Sequence, residues 1–235
     1  MEVPEILLFP EKIFEILNFP VTSTYILTLV LGVFLFFIFY FGLKKKIIPN
    51  YLQAFLEWAL ESLFRYINGM TGDRKKTLEI FPLAATLFIF IFLVNIVEIF
   101  PGLGVFHFLR SPSSDLNFTL ALASVSMAYI HLSAIKKLGF SPHLKKFFNF
   151  KNPFLFFVGI LEGISEITRL FSLGVRLFGN LFAGEILLII VSYLFSFLLP
   201  LPFLALEIFV CFIQALIFSS LVVIFYGFHT EKSEE

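Results

Sequence analysis

The sequence predicts an all-α polytopic membrane protein with five membrane crossings, amphipathic surface helices and a long, strongly tilted fourth crossing. Three observations carry this expectation. First, 59% of the 235 residues are hydrophobic and only 14% are charged, with a mean hydropathy of +0.95. Soluble domains average about 45–50% apolar and about 25% charged, so these charges are too few to wet a soluble surface. Second, five apolar stretches each reach the length of about 20 residues that a bilayer core requires. Third, the fourth stretch is far longer than one upright span.

Composition also excludes several classes. The 17 basic residues are matched by 17 acidic ones, and nucleic-acid binding would need a basic excess. A single cysteine, Cys211, leaves no disulfide framework and no cysteine-based zinc site. The 36 phenylalanines read as hydrophobic filler, since Phe and Leu insert similarly into lipid.

The elements follow in order. Residues 1–20 mix Glu2, Glu5, Glu11, Lys12 and Glu15 with Leu, Ile and Phe. The segment has no cationic start and no small-residue cleavage site, so it is not a signal peptide. It reads as a short amphipathic surface helix. The first span, residues 21–43, is uncharged and is stopped by Lys44, Lys45 and Lys46. Tyr51 to Thr77 carries apolar residues at helical spacing among charges, so it lies on the membrane or against neighbours. The second span, 78–100, ends at Pro101-Gly102. The third, 116–135, is stopped by Lys136 and Lys137, and a basic loop follows with Lys145, Lys146 and Lys151.

Pro153 suits a helix start, and no proline recurs before Pro200. Ser165 to Leu198 alone would be about 50 Å of helix against a hydrocarbon core of about 30 Å. A break near Gly159–Gly163 would leave a short inner-leaflet helix, 153–164, and a slanting crossing, 165–198. Pro200-Leu201-Pro202 makes the turn into the last span, 203–228, and the tail 229–235 is polar. Five crossings place nearly all basic span-end residues on one side, which predicts an outer N-terminus and a cytoplasmic C-terminus. No internal repeat is visible, which counts against an inverted-repeat transporter.

Ionisable groups within lipid each cost about 2.5–3.5 kcal/mol on insertion scales and mark ion paths or paired structural sites. Glu162, Arg176, Glu185 and Glu207 stand out, with Glu166 and Arg169 nearer the inner boundary. At 100° per residue, Ser165, Arg169, Ser172, Arg176, Asn180 and Ala183 form one small and polar stripe. Such a stripe packs closely on another helix or meets a partner that brings polar groups. Arg176 stays protonated, so it is a fixed charge and not a proton carrier. The alternative is an internal ion pair that fixes packing. Glu185 lies half a turn out of phase with Arg176 and about 13 Å along the helix, so the two cannot pair directly.

Glu207 opens the last span, sharing a face with Cys211, Gln214 and Phe218. Glu185 and Glu207 flank the outer turn and can approach one cavity as a proton relay, or they are interfacial residues reached by water. Glu162 and Ser165 lie on the inner side. The order suggests two water-accessible half-paths, separated by Arg176 and joined by something this chain lacks. Glu98, Asp115 and Asn117 cluster on the outer side, where helix capping competes with a role in widening access. His131 reads as a packing residue, and His107, His143 and His229 have no metal-ligand spacing. Nucleotide-loop, hydrolase-elbow and metalloprotease motifs are absent, so neither a cofactor nor a metal is expected.

Ser172-Leu-Gly-Val-Arg-Leu-Phe-Gly-Asn-Leu-Phe-Ala-Gly-Glu185 resembles the signature of subunit a of F-type ATP synthases, S-L-x-x-R-L-F-G-N-x-x-A-G-E. Supporting matches are Leu161–Ser165, Asn95–Pro101, Asp115–Thr119 and Ile213–Phe218; the first 50 residues match only in character. The resemblance implies a proton-conducting stator subunit without an active site of its own. It implies a hetero-oligomer with the c-subunit ring, the subunit b stalk and the rest of the membrane sector, in a bacterial inner membrane. Arg176 would face the ring, with Asn180 and Gln214 at the same interface. Glu185 and Glu207 match positions of the outer half-channel, and Glu162, Ser165 and Ser172 those of the inner one. Arg169, Glu98, Asp115 and Asn117 would support them. Some relatives carry His where Glu207 stands. The rival readings are a proton- or sodium-coupled secondary transporter, an integral membrane enzyme and a non-conducting structural subunit.

Overall fold

A computed structural model describes residues 12–16, 19–42, 50–99, 112–140, 153–194 and 200–230. Its helices are α1 (Ser23–Gly42), α2 (Tyr51–Thr71), α3 (Arg74–Ile99), α4 (Leu116–Leu138), α5 (Pro153–Leu194) and α6 (Pro200–Thr230). Five of these, all but α2, are long and apolar enough to cross a membrane, so this is a multi-pass membrane protein. The basic tail loops and Lys44–Lys46 lie outside the described residues.

The N-terminal expectation needs correction. Within residues 1–20 the described part is not a surface helix. It is an antiparallel hairpin of β1 (Lys12–Ile16) and β2 (Phe19–Thr22), with Phe14 opposite Val21 and Glu15 opposite Pro20. Ile13, Phe14, Ile16, Phe19, Val21 and Thr22 favour a pleated surface. Prolines at 10 and 20 leave too short a run for a stable helix. In a two-stranded sheet both strands are edges, so Pro20 is tolerated.

The α2–α3 corner also falls differently from the expected boundary at 77/78. Gly72 adopts φ +66°, a left-handed conformation that suits glycine, and its N–H reaches Asn68 O at 3.0 Å. Asp73 Oδ1 then accepts from Lys75 N at 2.9 Å and caps α3. Arg74, Lys75 and Lys76 therefore form the first turn of a crossing helix and not the end of a surface helix.

The larger difference is α5. It runs unbroken for 42 residues, so no break separates 153–164 from the rest. Within lipid a helix interruption leaves backbone groups without partners, whereas an interior glycine costs only about 1 kcal/mol. Continuity through Gly159 and Gly163 is thus the lower-cost solution. The helix is about 63 Å long by its rise per residue, twice the hydrocarbon thickness of about 30 Å. It cannot stand upright within a bilayer core.

The core lies where α3, α4, α5 and α6 meet. Helix α6 packs most extensively on α3, and α4 packs on both α5 and α6. Ile80, Ala84 and Ile91 of α3, Ala123 and Ile130 of α4, Leu173, Leu177 and Leu181 of α5, and Ala215 and Val222 of α6 are buried. Small residues at these contacts allow close backbone approach, the main source of helix association in lipid. Gly174 shows a close approach to backbone: a Cβ there would sit 3.2 Å from Leu120 Cα and 2.7 Å from Leu120 Cδ2. Across the α3–α6 contact, Ser219 Oγ donates to Ala84 O at 2.9 Å. At the basic end, Glu79 of α3 pairs with Lys137 of α4 and accepts from Tyr226 Oη of α6 at 2.5 Å.

Candidate functional site

The stripe predicted on α5 is real as a face, and most of it points away from the core. Ser172, Arg176, Asn180 and Ala183 are exposed, whereas the neighbouring row Leu173, Leu177 and Leu181 is buried. The 3.6-residue period separates the two rows: one binds the bundle and the other is left for a partner. Only 17% of the apolar stretch of α5 is buried, against 39% for α3 and α6.

Arg176 sits near the middle of this exposed face. Its Nη2 donates to Ser172 Oγ at 3.3 Å, one helical turn earlier. Among the described residues it has no carboxylate partner. The internal ion pair weighed as the alternative for this residue is therefore not formed within the described chain. Asn180, one turn on, is tied to the bundle by a hydrogen bond from Nδ2 to Gln214 Oε1 of α6 at 2.9 Å. Gln214 is buried, so the contact satisfies an amide in an apolar setting.

Toward the end of α5 that precedes α6, the structure brings Glu185 and Glu207 together. Glu207 is buried at 6% exposure, on one face with Cys211, Gln214 and Phe218, as its spacing predicted. Its carboxyl lies directly against Gly184, the residue before Glu185. The two carboxyl groups are near enough to interact electrostatically. Neither oxygen of Glu207 has a hydrogen-bond partner among the described residues.

Toward the other end, Glu162 and Ser165 are half-buried on α5, with Ser172 between them and Arg176. The remaining sequence-predicted residues fall elsewhere. Asp115 caps α4 by accepting from Asn117 N at 2.9 Å, and its other oxygen accepts from Thr24 Oγ1 of α1 at 3.1 Å. The capping account thus explains Asp115, and Asn117 contributes its backbone N–H while its side chain is exposed. Glu98 lies on α3, and its side chain is outside the described residues.

A family model for the ATP synthase A chain matches residues 13–227. The chain is 34% identical over 215 residues to ATP synthase subunit a of Moorella thermoacetica, covering 91% of this chain and 93% of that one. It is 33% identical over 185 residues to the Campylobacter jejuni subunit, with 77% and 78% covered. Against the Legionella pneumophila subunit the figures are 32% over 214 residues, with 90% and 88% covered. This chain belongs to the ATP synthase subunit a family. It is accordingly the proton-translocating subunit in the membrane sector of an F-type ATP synthase, and it works in complex with other ATP synthase subunits.

The chain also contains a group that its sequence alone does not disclose. Glu166 is buried on α5, and its Oε1 lies 2.8 Å from Arg169 Nη1 and 2.7 Å from His229 Nε2 of α6. Its Oε2 lies 3.6 Å from His131 Nε2 of α4. The two imidazole rings meet edge to face at 5.2 Å, and Arg169 stacks over Phe225 at 5.2 Å. His131 is thus no isolated packing residue, and His229, near the end of α6, is buried. Glu166 and His229 are 63 residues apart, so no local spacing could reveal the group.

Proposed function

We propose that this chain conducts protons through two offset half-channels separated by Arg176, with no catalytic site of its own. The observation that carries the reading is Arg176: an exposed guanidinium within a crossing helix whose only partner among the described residues is the Ser172 hydroxyl. A fixed charge held in lipid without a counter-ion is expensive. It calls for an ionised carboxyl supplied by another chain, and a ring of c subunits, each with a lipid-embedded carboxyl, supplies one after another. Attraction between the two in a low dielectric is largely offset by desolvation, so the contact forms and breaks as the ring turns.

Glu185 and Glu207 serve as the half-channel from the outside, and Glu162, Ser165 and Ser172 as the one to the cytoplasm. Arg176 lies about 13 Å from Glu185 along α5, and its fixed positive charge opposes direct passage of a proton between the two paths. Asn180 and Gln214 hold the ring-facing surface in register. The small residues beside them leave that surface shallow enough for helices of the ring. Subunit b and the ring are the membrane partners, and the setting is a bacterial inner membrane with the C-terminus in the cytoplasm. Basic residues at Arg74–Lys76 and Lys136–Lys137 favour that side.

The test is Arg176→Ala, with ATP-driven proton pumping followed in membrane vesicles and assembly checked by co-purification of the ring. Pumping is expected to vanish in an assembled complex. Normal pumping there would sink the reading.

A further inference from the structure

We propose that His131, Glu166 and His229 form a binding site for a transition-metal ion of the zinc class, joining α4, α5 and α6 at the Lys136–Lys137 end of the bundle. One ligand atom from each of the three lies within 4.8 Å of the others. Glu166 and His229 are 8% and 3% exposed. The His131 side chain is 29% exposed and supplies the way in. Two imidazoles and a carboxylate are the donor set that zinc takes in open, three-ligand sites, and imidazole favours zinc, copper and nickel over magnesium or calcium.

Three details point to a cation and not only to packing. First, Glu166 Oε2 is buried without a hydrogen-bond partner among the described residues. It lies 3.6 Å from His131 Nε2, too far for a good hydrogen bond. Two atoms bound to one zinc at about 2.0–2.1 Å are separated by close to that distance when the bond angle is moderately wider than tetrahedral. Second, His229 Nδ1 is 2.8 Å from Phe225 O. A carbonyl only accepts, so Nδ1 carries the hydrogen, and a neutral ring would direct its Nε2 lone pair inward. A backbone carbonyl on the far nitrogen is the usual support of a metal-binding histidine. Nε2 itself is 2.7 Å from a carboxylate oxygen, the length of a charge-assisted hydrogen bond, so a metal ion entering the site takes the place of the proton between them. Third, Arg169 donates to Oε1 at 2.8 Å. It orients the carboxyl and leaves Oε2 for the ion. The three donors lie within 4.8 Å of one another and must close to about 4 Å or less to share one metal at ordinary bond lengths; the more exposed His131 ring is the one that moves.

The site stands on this geometry and not on the proton path, so its test reads metal and not flux. Co²⁺ is added to the assembled ATP synthase complex, and difference spectra are taken between the native complex and a His131→Gln variant. The native complex is expected to show the visible absorption of tetrahedral cobalt, displaced by Zn²⁺. In the variant, affinity falls at least about 10-fold, the loss already seen on removing a support of a metal ligand. His131→Cys keeps a ligand and is expected to add a sulfur-to-cobalt charge-transfer band. Because His131 is the most exposed member, these variants leave the buried Glu166–His229 contact in place. No tetrahedral spectrum in the native complex, or one unchanged by His131→Gln, overturns the proposal.

Discussion

The Glu207 carboxyl of α6 rests against the point where a side chain would begin on Gly184 of α5. The absence of a Cβ at 184 is what allows a buried acidic group to sit beside Glu185. Gly184→Val is therefore expected to displace the Glu207 carboxyl and cut proton pumping without preventing assembly. Glu207→Asp, one methylene shorter, should restore part of the flux in that background. Pumping in vesicles checks both, and an unaffected Gly184→Val protein would separate this contact from conduction.

Glu185→Gln and Glu207→Gln each keep size while removing the ionisable proton. The double variant is expected to lose pumping in a complex that still assembles. Retained flux in that protein removes the outer-relay role of both residues and leaves Arg176 standing.

Asn180 and Gln214 share one hydrogen bond across α5 and α6. A double-mutant cycle with Asn180→Ala and Gln214→Ala should give a coupling of about 1 kcal/mol in unfolding stability. Coupling indistinguishable from zero would mean that the two amides act separately at the ring-facing surface.

Asp115 is a helix cap that also accepts from Thr24. Asp115→Ala is expected to cost about 1 kcal/mol, read as a lower thermal midpoint in detergent, while Asp115→Asn retains most of it. Pumping per assembled complex should stay near normal in both. A large pumping loss at unchanged stability would instead put Asp115 in the access path.

Gly174 admits Leu120 into the α4–α5 contact. Gly174→Leu overpacks it, with an expected cost of about 1–3 kcal/mol. Leu120→Ala in the same protein should recover part of that loss, since the two changes share one space.

The crossings and the polar stripe were readable because lipid makes both signals blunt. Uninterrupted apolar runs can only be spans, and an arginine inside one is conspicuous by cost alone. Arg176, Asn180 and Glu185 also sit within one short motif. What stayed hidden depends on comparing conformations of similar cost or on distant contacts. The β1–β2 hairpin occupies a mix of apolar and charged residues that imitates an amphipathic helix, although the prolines at 10 and 20 leave too short a run for one. The continuity of α5 turns on a glycine being less costly than a broken ladder. The Glu166 group joins residues of three helices, and only packing brings them into one place.

The unbroken course of α5 has a consequence for how this subunit can diverge. Glu166, Arg176 and Glu185 ride on one rod, so their angular and axial offsets are locked together. Inserting a single residue after Gly179 would rotate everything beyond it by about 100° and advance it by about 1.5 Å. Glu185 would leave the Glu207 side, and Asn180 would lose Gln214. Length changes are therefore tolerable in the connecting loops and at the helix ends, but forbidden between Glu166 and Glu185. The helix acts as a ruler as well as a surface.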